Sequence, residues 1–189
     1  MQSEHFRKGQ RIYYVLCPLF FSHRSVRKDR AVQKTTYFHI RKRDLKKVEL
    51  YTDGACRGNP GRGGWGAGLV YGKYERELSG GDPMTTNNRM ELLAAIEGLS
   101  ALKEPCEVDL YSDSRYLVDA FVQGWVQGWQ RENFRRGKKD EVKNPDLWER
   151  LIALCDLHKV RFIWVKGHDG HAYNERCDRL ATAFADSFL

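Results

Sequence analysis

"ELYTDGACRGNPGRGG", residues 49–64, begins as a β-branched and aromatic run and continues with almost no side-chain bulk. Val48–Thr52 predicts a strand that enters a core and delivers an acid, Asp53, to its end. The Gly, Asn and Pro residues that follow favour a turn, which Asp53 could cap. They would equally let a large, negatively charged partner approach the backbone. This stretch therefore leaves two interpretations of Asp53, a turn cap or part of a functional site.

Length and composition are those of a chain with a substantial core. The 189 residues are 41% hydrophobic and 12% aromatic, which suffices for one domain. No run approaches the roughly 20 apolar residues that span a bilayer, so we expect no membrane association. The five cysteines include no CxxC pair, which argues against a disulfide framework or a zinc site and for a reducing compartment. We expect a cytoplasmic, monomeric protein of bacterial type.

The net charge of +7 is unevenly distributed along the chain. Residues 1–47 carry 13 Lys and Arg against 3 Asp and Glu, whereas the rest carries 19 against 22. Neither helical nor strand periodicity persists near the N-terminus, so residues 1–46 are predicted to be a basic, poorly ordered extension and residues 47–189 the folded domain. The extension could be an organellar or nuclear targeting segment, a nucleic-acid-binding arm, or a wrongly assigned upstream extension.

From residue 47 onward, turn signals separate the chain into regular elements. Strands are predicted at 48–52, 64–72, 73–81, 107–113 and 160–165, with a hairpin turn at Gly72-Lys73. Helices are predicted at 85–104, 114–129, 144–159 and 172–189, the second interrupted at Gly124 and Gly128 and the third capped by Asn144. Three strands followed by alternating helices and strands indicate an α/β fold, a mixed sheet covered by helices.

Four acids occupy positions where carboxylates are unusual. Asp53 and Asp113 end predicted strands. Glu91 lies on the apolar side of the first helix, and Asp178 lies among apolar residues of the last helix. Each alone could be a turn cap or a partner of a helix dipole. Because ligands of open α/β sheets gather beyond the carboxyl ends of strands, the four acids can form one ring if strands one and four are neighbours.

Such a ring predicts a metal site. Clustered carboxylates repel one another, and the cluster persists when a cation occupies it. Oxygen ligands without a set of thiolates point to a hard ion, Mg²⁺ or Mn²⁺, rather than Zn²⁺. A Mg²⁺ ion held by few carboxylates keeps positions open for water and phosphate oxygens, which is the setting for phosphodiester hydrolysis.

Five segments together resemble the signature of ribonuclease H, type 1, in that family's order and spacing. They cover about residues 47–187 and read YTDGACRGNPGRGGWG (51–66), TTNNRMELLAAIEGL (85–99), LYSDSRYL (110–117), VKNPDLWERL (142–151) and WVKGHDGHAYNERCDRLA (164–181). The resemblance implies a ribonuclease H-like five-stranded mixed sheet, three antiparallel strands plus two parallel, flanked by helices. It also implies an enzyme that hydrolyses the RNA strand of RNA–DNA hybrids with divalent metal, leaving 5′-phosphate and 3′-hydroxyl ends.

The resemblance assigns roles to the four acids and to one histidine. With two Mg²⁺ ions per site (Mn²⁺ being an alternative), Asp53 would bridge both. Asp113 and Asp178 would hold the ion that prepares the attacking water, and Glu91 would share in the other. His168, in a loop with glycine at either side, would serve proton transfer or product release. His171 is the other candidate for this role, although the family histidine aligns with His168. If His171 has no such role, it is a solvent-facing residue at the start of the last helix.

Substrate contacts are expected from two parts of the chain. Asn59 with Thr86 resembles the family's pocket for a phosphate of the DNA strand. The stretch 124–143 resembles the family's basic protrusion, although it could also be a solvated charge run over buried aromatics. The full expected set is Cys56, Asn59, Thr86, Asn87, Asn88, Arg115, Trp125, Lys138 and Lys139. Trp65, Trp148 and Trp164 are interpreted as core anchors.

Two other functions stay open on the sequence alone. The same fold could carry a hybrid-binding module without catalysis, although acids stand at all four positions. It could also carry another nuclease, such as a junction resolvase or a transposase-like enzyme, although TTNNRME and NPDLW favour ribonuclease H. A reverse transcriptase domain is a further setting for this fold, but the chain contains no polymerase region.

Overall fold

The computed structural model of the protein describes residues 45–136, 140–167 and 169–188. Almost all of the predicted extension, 1–46, lies outside the described residues, so its order and the domain boundary stay predictions. The strands are β1 Lys46–Gly58, β2 Gly61–Tyr71, β3 Tyr74–Thr85, β4 Cys106–Ser112, β5 Arg135–Arg136, β6 Asp140–Glu141 and β7 Lys159–Trp164. The helices are α1 Asn87–Ser100, α2 Arg115–Val122, α3 Trp125–Arg131, α4 Pro145–Leu157 and α5 Ala172–Asp186.

Five of the strands form one mixed sheet in the order β3-β2-β1-β4-β7. β1, β2 and β3 pair antiparallel, and β4 and β7 extend the sheet in parallel on the other side of β1. Tyr71 pairs with Tyr74 across the two-residue turn at Gly72-Lys73, as predicted. The α/β class and the five-stranded mixed sheet are therefore confirmed. β5 and β6 form a separate two-stranded ribbon.

Strand β1 is longer than the sequence predicted, and Asp53 is not its last residue. The strand continues through the glycine-rich stretch to Gly58 because β2 pairs with it that far, ending at Gly58 opposite Gly61. Its parallel pairing with β4 stops earlier, at Thr52 opposite Ser112. Hairpin pairing thus outweighs the low strand propensity of glycine. As a consequence, Asp53 stands where β1 continues beyond its neighbour β4.

The middle helices also depart from the prediction at two points. Gly124, with φ of +72°, separates α2 from α3. Gly128 does not interrupt α3, because it lies within the helix. Asn144 precedes α4, but its side chain makes no capping hydrogen bond; its amide donates to the Tyr116 hydroxyl at 3.2 Å. Asn144 is therefore the N-cap residue of α4, as predicted, but its side chain joins α4 to α2 instead of bonding to the first turn of the helix.

Helices cover both faces of the sheet and bring α1 and α5 to opposite sides of β1. On one face, Leu50 of β1 packs against α1, where a side chain at Gly98 would overlap it. On the other face, α5 packs on β1, β2 and β3. It approaches β2 so closely that a methyl group on Gly66 would overlap the Cys177 carbonyl and lie 2.9 Å from Leu180 Cβ. Two helices that carry predicted site acids therefore flank the strand that carries Asp53.

The core lies between the sheet and helices α1, α2 and α4. Trp148 of α4 is fully buried and packs against Phe121, whose ring stacks on Phe162 at a centroid distance of 4.0 Å. Among the described residues, every helix is too short or too polar to cross a membrane. Aromatic side chains therefore pack α2 and α4 against β7, and the glycines of β2 let α5 pack closely on the other face of the sheet.

Candidate active site

Three of the four predicted acids meet at one end of the sheet. Asp53 comes from β1, Asp113 follows the last residue of the adjacent strand β4, and Glu91 comes from the second turn of α1. Each offers a carboxylate oxygen, and these oxygens lie within 4.8 Å of one another. Asp53 is only 7% exposed and Glu91 only 5%. The pairing of β1 with β4 is what places the two aspartates side by side.

The fourth acid, Asp178, lies on α5 and is not part of this set of three. Its carboxylate accepts a hydrogen bond from the Thr182 hydroxyl at 3.4 Å, one turn further along the helix. Its charge nevertheless contributes to raising the pKa of Asp53. Asp178 therefore acts electrostatically on the same site, but its carboxylate is not one of the three that meet there.

The environment of the cluster favours protonated carboxyl groups when no cation is bound. Burial, with the charges of Asp113 and Asp178, raises the pKa of Asp53 to about 8, against the opposing hydrogen bond from the Gly54 N–H. Burial, followed by the charges of Asp53 and Asp113, raises the pKa of Glu91 well above its ordinary value. Removing these negative charges from water and placing them together is costly, so a cation between them would be bound favourably.

The chemistry of the donors fits a hard divalent cation. The Oε1 atom of Glu91 accepts a hydrogen bond from the Asn87 side chain at 3.4 Å, but its buried Oε2 atom has no partner. A buried carboxylate oxygen without a partner is expensive, and a metal ion would satisfy it. The ligands are oxygen atoms, which suit Mg²⁺ or Mn²⁺.

Beside the acids, several predicted substrate residues form one surface where the end of β1 meets the start of α1. Asn59 accepts a hydrogen bond from the Asn87 N–H at 3.4 Å. The Cys56 thiol lies 3.5 Å from the Thr85 carbonyl. Thr86 precedes α1, and its hydroxyl makes no capping hydrogen bond. The structure thus brings together the expected group Cys56, Asn59, Thr86, Asn87 and Asn88.

The remaining predicted residues are placed differently. The guanidinium of Arg115 lies 3.6 Å from the centre of the Trp164 ring and 3.5 Å from the Asp119 carboxylate. Trp125, on α3, is 46% exposed and lines an open depression together with Trp129. His168, Lys138 and Lys139 lie outside the described residues, so their predicted roles stay predictions.

His171 belongs to an aromatic stack. Its ring lies 5.2 Å from that of Tyr51 and 6.0 Å from that of Tyr111, and its Nδ1 atom is buried. Tyr51 itself stacks on Tyr111 at 4.7 Å and on Tyr173 at 4.8 Å. His171 does stand at the start of α5, as that alternative expected, but it is only half-exposed because its ring packs against Tyr51 and Tyr111.

Sequence reasoning missed two residues that contact Asp113. Trp164, interpreted as a core anchor, packs at the edge of the core and donates its indole N–H to the Asp113 carbonyl at 3.0 Å. Gly167 lies against the Asp113 carboxylate. No local pattern signals these contacts. The parallel register of β4 with β7, in which Ser112 pairs with Trp164, would have indicated them.

Comparison with known proteins decides the family. A sequence model of the RNase H family matches residues 45–186. Ribonuclease H of Acetivibrio thermocellus is 60% identical over 138 residues, which are 73% of this chain and 94% of that protein. The chain belongs to the ribonuclease H family. As a member of this family, it is an enzyme of the hydrolase class and a nuclease.

Solved ribonuclease H structures share the fold. LC9-RNase H1, described as a type 1 RNase H with the type 2 active-site motif, is 32% identical, with a TM-score of 0.69 over 77% of this chain and 75% of that chain. LC11-RNase H1, solved in complex with RNA/DNA hybrid, is 24% identical, with a TM-score of 0.51 over 74% of this chain and 97% of that chain. The second likeness concerns the fold alone.

Proposed function

We propose that this member of the ribonuclease H family is an endonuclease that hydrolyses the RNA strand of RNA–DNA hybrids by a two-metal-ion mechanism. The products would carry 5′-phosphate and 3′-hydroxyl ends. The observation that carries the proposal is the meeting of Asp53, Glu91 and Asp113 within 4.8 Å, with a buried Glu91 oxygen left without a partner. Family membership supports the reaction, and the oxygen ligands support Mg²⁺.

The acids would hold the ions between them. Asp53, Glu91 and Asp113 would supply carboxylate ligands to the ions, and Asp178 would add a further carboxylate from α5. When bound, Mg²⁺ supplies activation of the attacking water and stabilisation of the leaving 3′-oxygen. The carboxylates must be ionised to act as ligands, so metal binding and release of the protons held by Asp53 and Glu91 are coupled.

The surface beside the acids is suited to a hybrid duplex. A hybrid presents 2′-hydroxyls on one strand only, so its recognition needs small polar groups near the RNA and phosphate contacts along the DNA. Cys56, Asn87 and Asn88 would face the RNA sugars. Asn59 and Thr86 would hold a phosphate of the DNA strand, near the N-terminal N–H groups of α1. Trp125 would add an exposed aromatic contact.

A gel assay of the full chain tests the proposal. Labelled RNA–DNA hybrid, RNA duplex and DNA duplex are incubated with Mg²⁺ or with EDTA. We expect cleavage of the RNA strand of the hybrid, only with Mg²⁺, and fragments whose 5′ ends are substrates for ligation without prior phosphorylation. The variant Asp53→Asn should nearly abolish cleavage, whereas Asp156→Asn, at an exposed position of α4, should cut at the wild-type rate.

Two outcomes would replace the proposal by one of its rivals. If no duplex is cut and Asp113→Asn binds the hybrid as tightly as wild type, the protein is a hybrid-binding module. If duplex DNA is cut in preference to the hybrid, it is another nuclease of this fold. The cytoplasmic location, the monomeric state and the role of His168 in proton transfer or product release stay predictions.

A further inference from the structure

We infer that Trp164 and Gly167, at and just beyond the end of β7, are positioning residues that fix the backbone and the carboxylate of Asp113 for metal binding. This inference rests on the proposed function, because it concerns the same site. It adds to that site a segment from the far edge of the sheet that the acids alone do not include.

The first contact fixes the backbone. The Trp164 indole N–H donates to the Asp113 carbonyl at 3.0 Å. One residue later, the Val165 N–H donates to the Ser112 carbonyl, also at 3.0 Å. Asp113 lies just beyond the last residue of β4, where sheet pairing no longer constrains it. These two hydrogen bonds extend the attachment of the chain to β7 by one residue, as far as Asp113.

The second contact limits the side chain. A methyl group at Gly167 would overlap the Oδ2 atom of Asp113 and lie 3.3 Å from its Cγ. The Asp113 carboxylate therefore packs directly against the Gly167 backbone. The atom that a methyl group would displace is the end of a side chain, so an alanine at 167 could be accommodated by rotation of the carboxylate. Such a rotation would move a metal ligand while leaving the surrounding fold in place.

Arg115 supports the orientation of the indole. Its guanidinium stacks 3.6 Å from the Trp164 ring centre and also lies 3.5 Å from the Asp119 carboxylate. A stacked guanidinium fixes the plane of an aromatic ring. The plane of the Trp164 ring decides where its N–H points, so the stack favours the hydrogen bond to Asp113. Groups that orient a metal ligand commonly alter metal affinity or activity by about 10-fold to 100-fold when removed.

The test measures Mg²⁺ binding apart from activity. The melting temperature of the full chain is recorded in EDTA and at increasing concentrations of Mg²⁺ alone, and the concentration dependence gives an apparent Kd. For Gly167→Ala we expect a melting temperature in EDTA within about 3 °C of wild type, because the change is absorbed by a side chain. Its apparent Kd for Mg²⁺ should rise about 10-fold. Its kcat on the hybrid should fall while KM is unchanged.

Trp164→Phe should behave in the same way, because phenylalanine keeps a ring for Arg115 but lacks the N–H. Two matched controls separate positioning from ordinary packing. Trp148→Phe removes an indole hydrogen bond of similar length, 3.1 Å to the Tyr116 hydroxyl, inside the core. Gly68→Ala adds a methyl group that meets only the Cys177 sulfur, at 3.6 Å. Neither control should change the apparent Kd for Mg²⁺, whatever it does to the melting temperature.

The inference is overturned if Gly167→Ala folds and binds Mg²⁺ with the wild-type Kd. It is also overturned if both test variants change only the melting temperature, as the controls do. Should Trp164→Phe fail to fold, Gly167→Ala alone decides. If wild type itself neither gains stability from Mg²⁺ nor cuts the hybrid, the proposed function fails and the inference with it; failure confined to the comparison of variants leaves the proposed function standing.

Discussion

Replacing Asp53 by asparagine should stabilise the metal-free protein, and the gain should grow with pH. The pKa of Asp53 is raised by burial, and by the charges of Asp113 and Asp178, from an ordinary value of 3.8 to about 8. The folded protein therefore holds a proton that the unfolded chain releases. The contribution of the Asp53 carboxyl to the free energy of unfolding is fully present below pH 3.8 and is lost as the pH rises towards 8. Asparagine has no charge to bury, and its side-chain oxygen can still accept the hydrogen bond from the Gly54 N–H.

The magnitude follows from the pKa difference. Each pH unit between the two pKa values is worth at most about 1.4 kcal/mol. For the wild-type carboxyl this gives a limit of about 4 kcal/mol at pH 7 and about 2 kcal/mol at pH 5. We therefore expect the free energy of unfolding of Asp53→Asn to exceed that of wild type by about 1 to 4 kcal/mol at pH 7, and by at most half that amount at pH 5.

Urea unfolding followed by circular dichroism at 25 °C, with EDTA present, measures both free energies. Asp156→Asn serves as the control and should differ from wild type by no more than about 0.5 kcal/mol at either pH. Mg²⁺ at 100 times its Kd should then stabilise wild type by about 2.7 kcal/mol and the Asp53 variant by much less. A variant that is less stable than wild type at pH 7, or a gain that does not change with pH, would refute the reasoning about the cluster.

Three further predictions concern other parts of the molecule. Burial lowers the pKa of His158, so wild type should lose stability relative to His158→Asn as the pH falls from 7 to 5, by up to about 1.4 kcal/mol per pH unit in urea unfolding. Gly66→Ala should cost about 1 to 3 kcal/mol and lower kcat, because α5 must shift, whereas Gly68→Ala should do neither. Trp125→Ala should raise KM for the hybrid by about 10-fold with kcat retained, whereas Leu157→Ala, at another exposed apolar position, should leave KM unchanged.

Each of these has a clear contrary result. If the difference in free energy of unfolding between wild type and His158→Asn is the same at pH 5 as at pH 7, the histidine is accessible to water. Equal behaviour of the Gly66 and Gly68 variants would mean that α5 can be displaced without effect on the site. An unchanged KM for the Trp125 variant would remove this tryptophan from the predicted substrate surface.

The sequence predicted the sheet well because each of its strands is marked locally. Alternating apolar residues and turn signals delimit β2, β3, β4 and β7 to within a few residues. The far half of β1 was missed for a physical reason: Gly54–Gly58 has no strand propensity of its own and is extended only because β2 pairs with it. Gly128 was wrongly interpreted as a helix break, since a single glycine costs a helix only about 1 kcal/mol relative to alanine.

The site was predictable in its chemistry and less so in its geometry. Asp53, Glu91 and Asp113 could be named because carboxylates at strand ends and on an apolar helix face are unusual. The separation of Asp178 from that group depends on how α5 packs, which no local pattern records. The contacts of Trp164 and Gly167 with Asp113 join residues more than 50 positions apart, and they arise only when β7 takes its place beside β4.

The glycines of β2 carry a consequence for attempts to stabilise the enzyme. Glycine is a poor strand residue, so replacing it by valine or threonine is an obvious choice for strengthening this hairpin. At Gly64 and Gly66 the space for any side chain is already filled by the backbone of α5. A methyl group at either position would push α5 away from the sheet. Asp178, which lies on α5, would then move away from the other three acids of the site. Substitutions at these two positions should therefore lower heat resistance as well as activity, so a hairpin strengthened for thermal stability must keep both glycines.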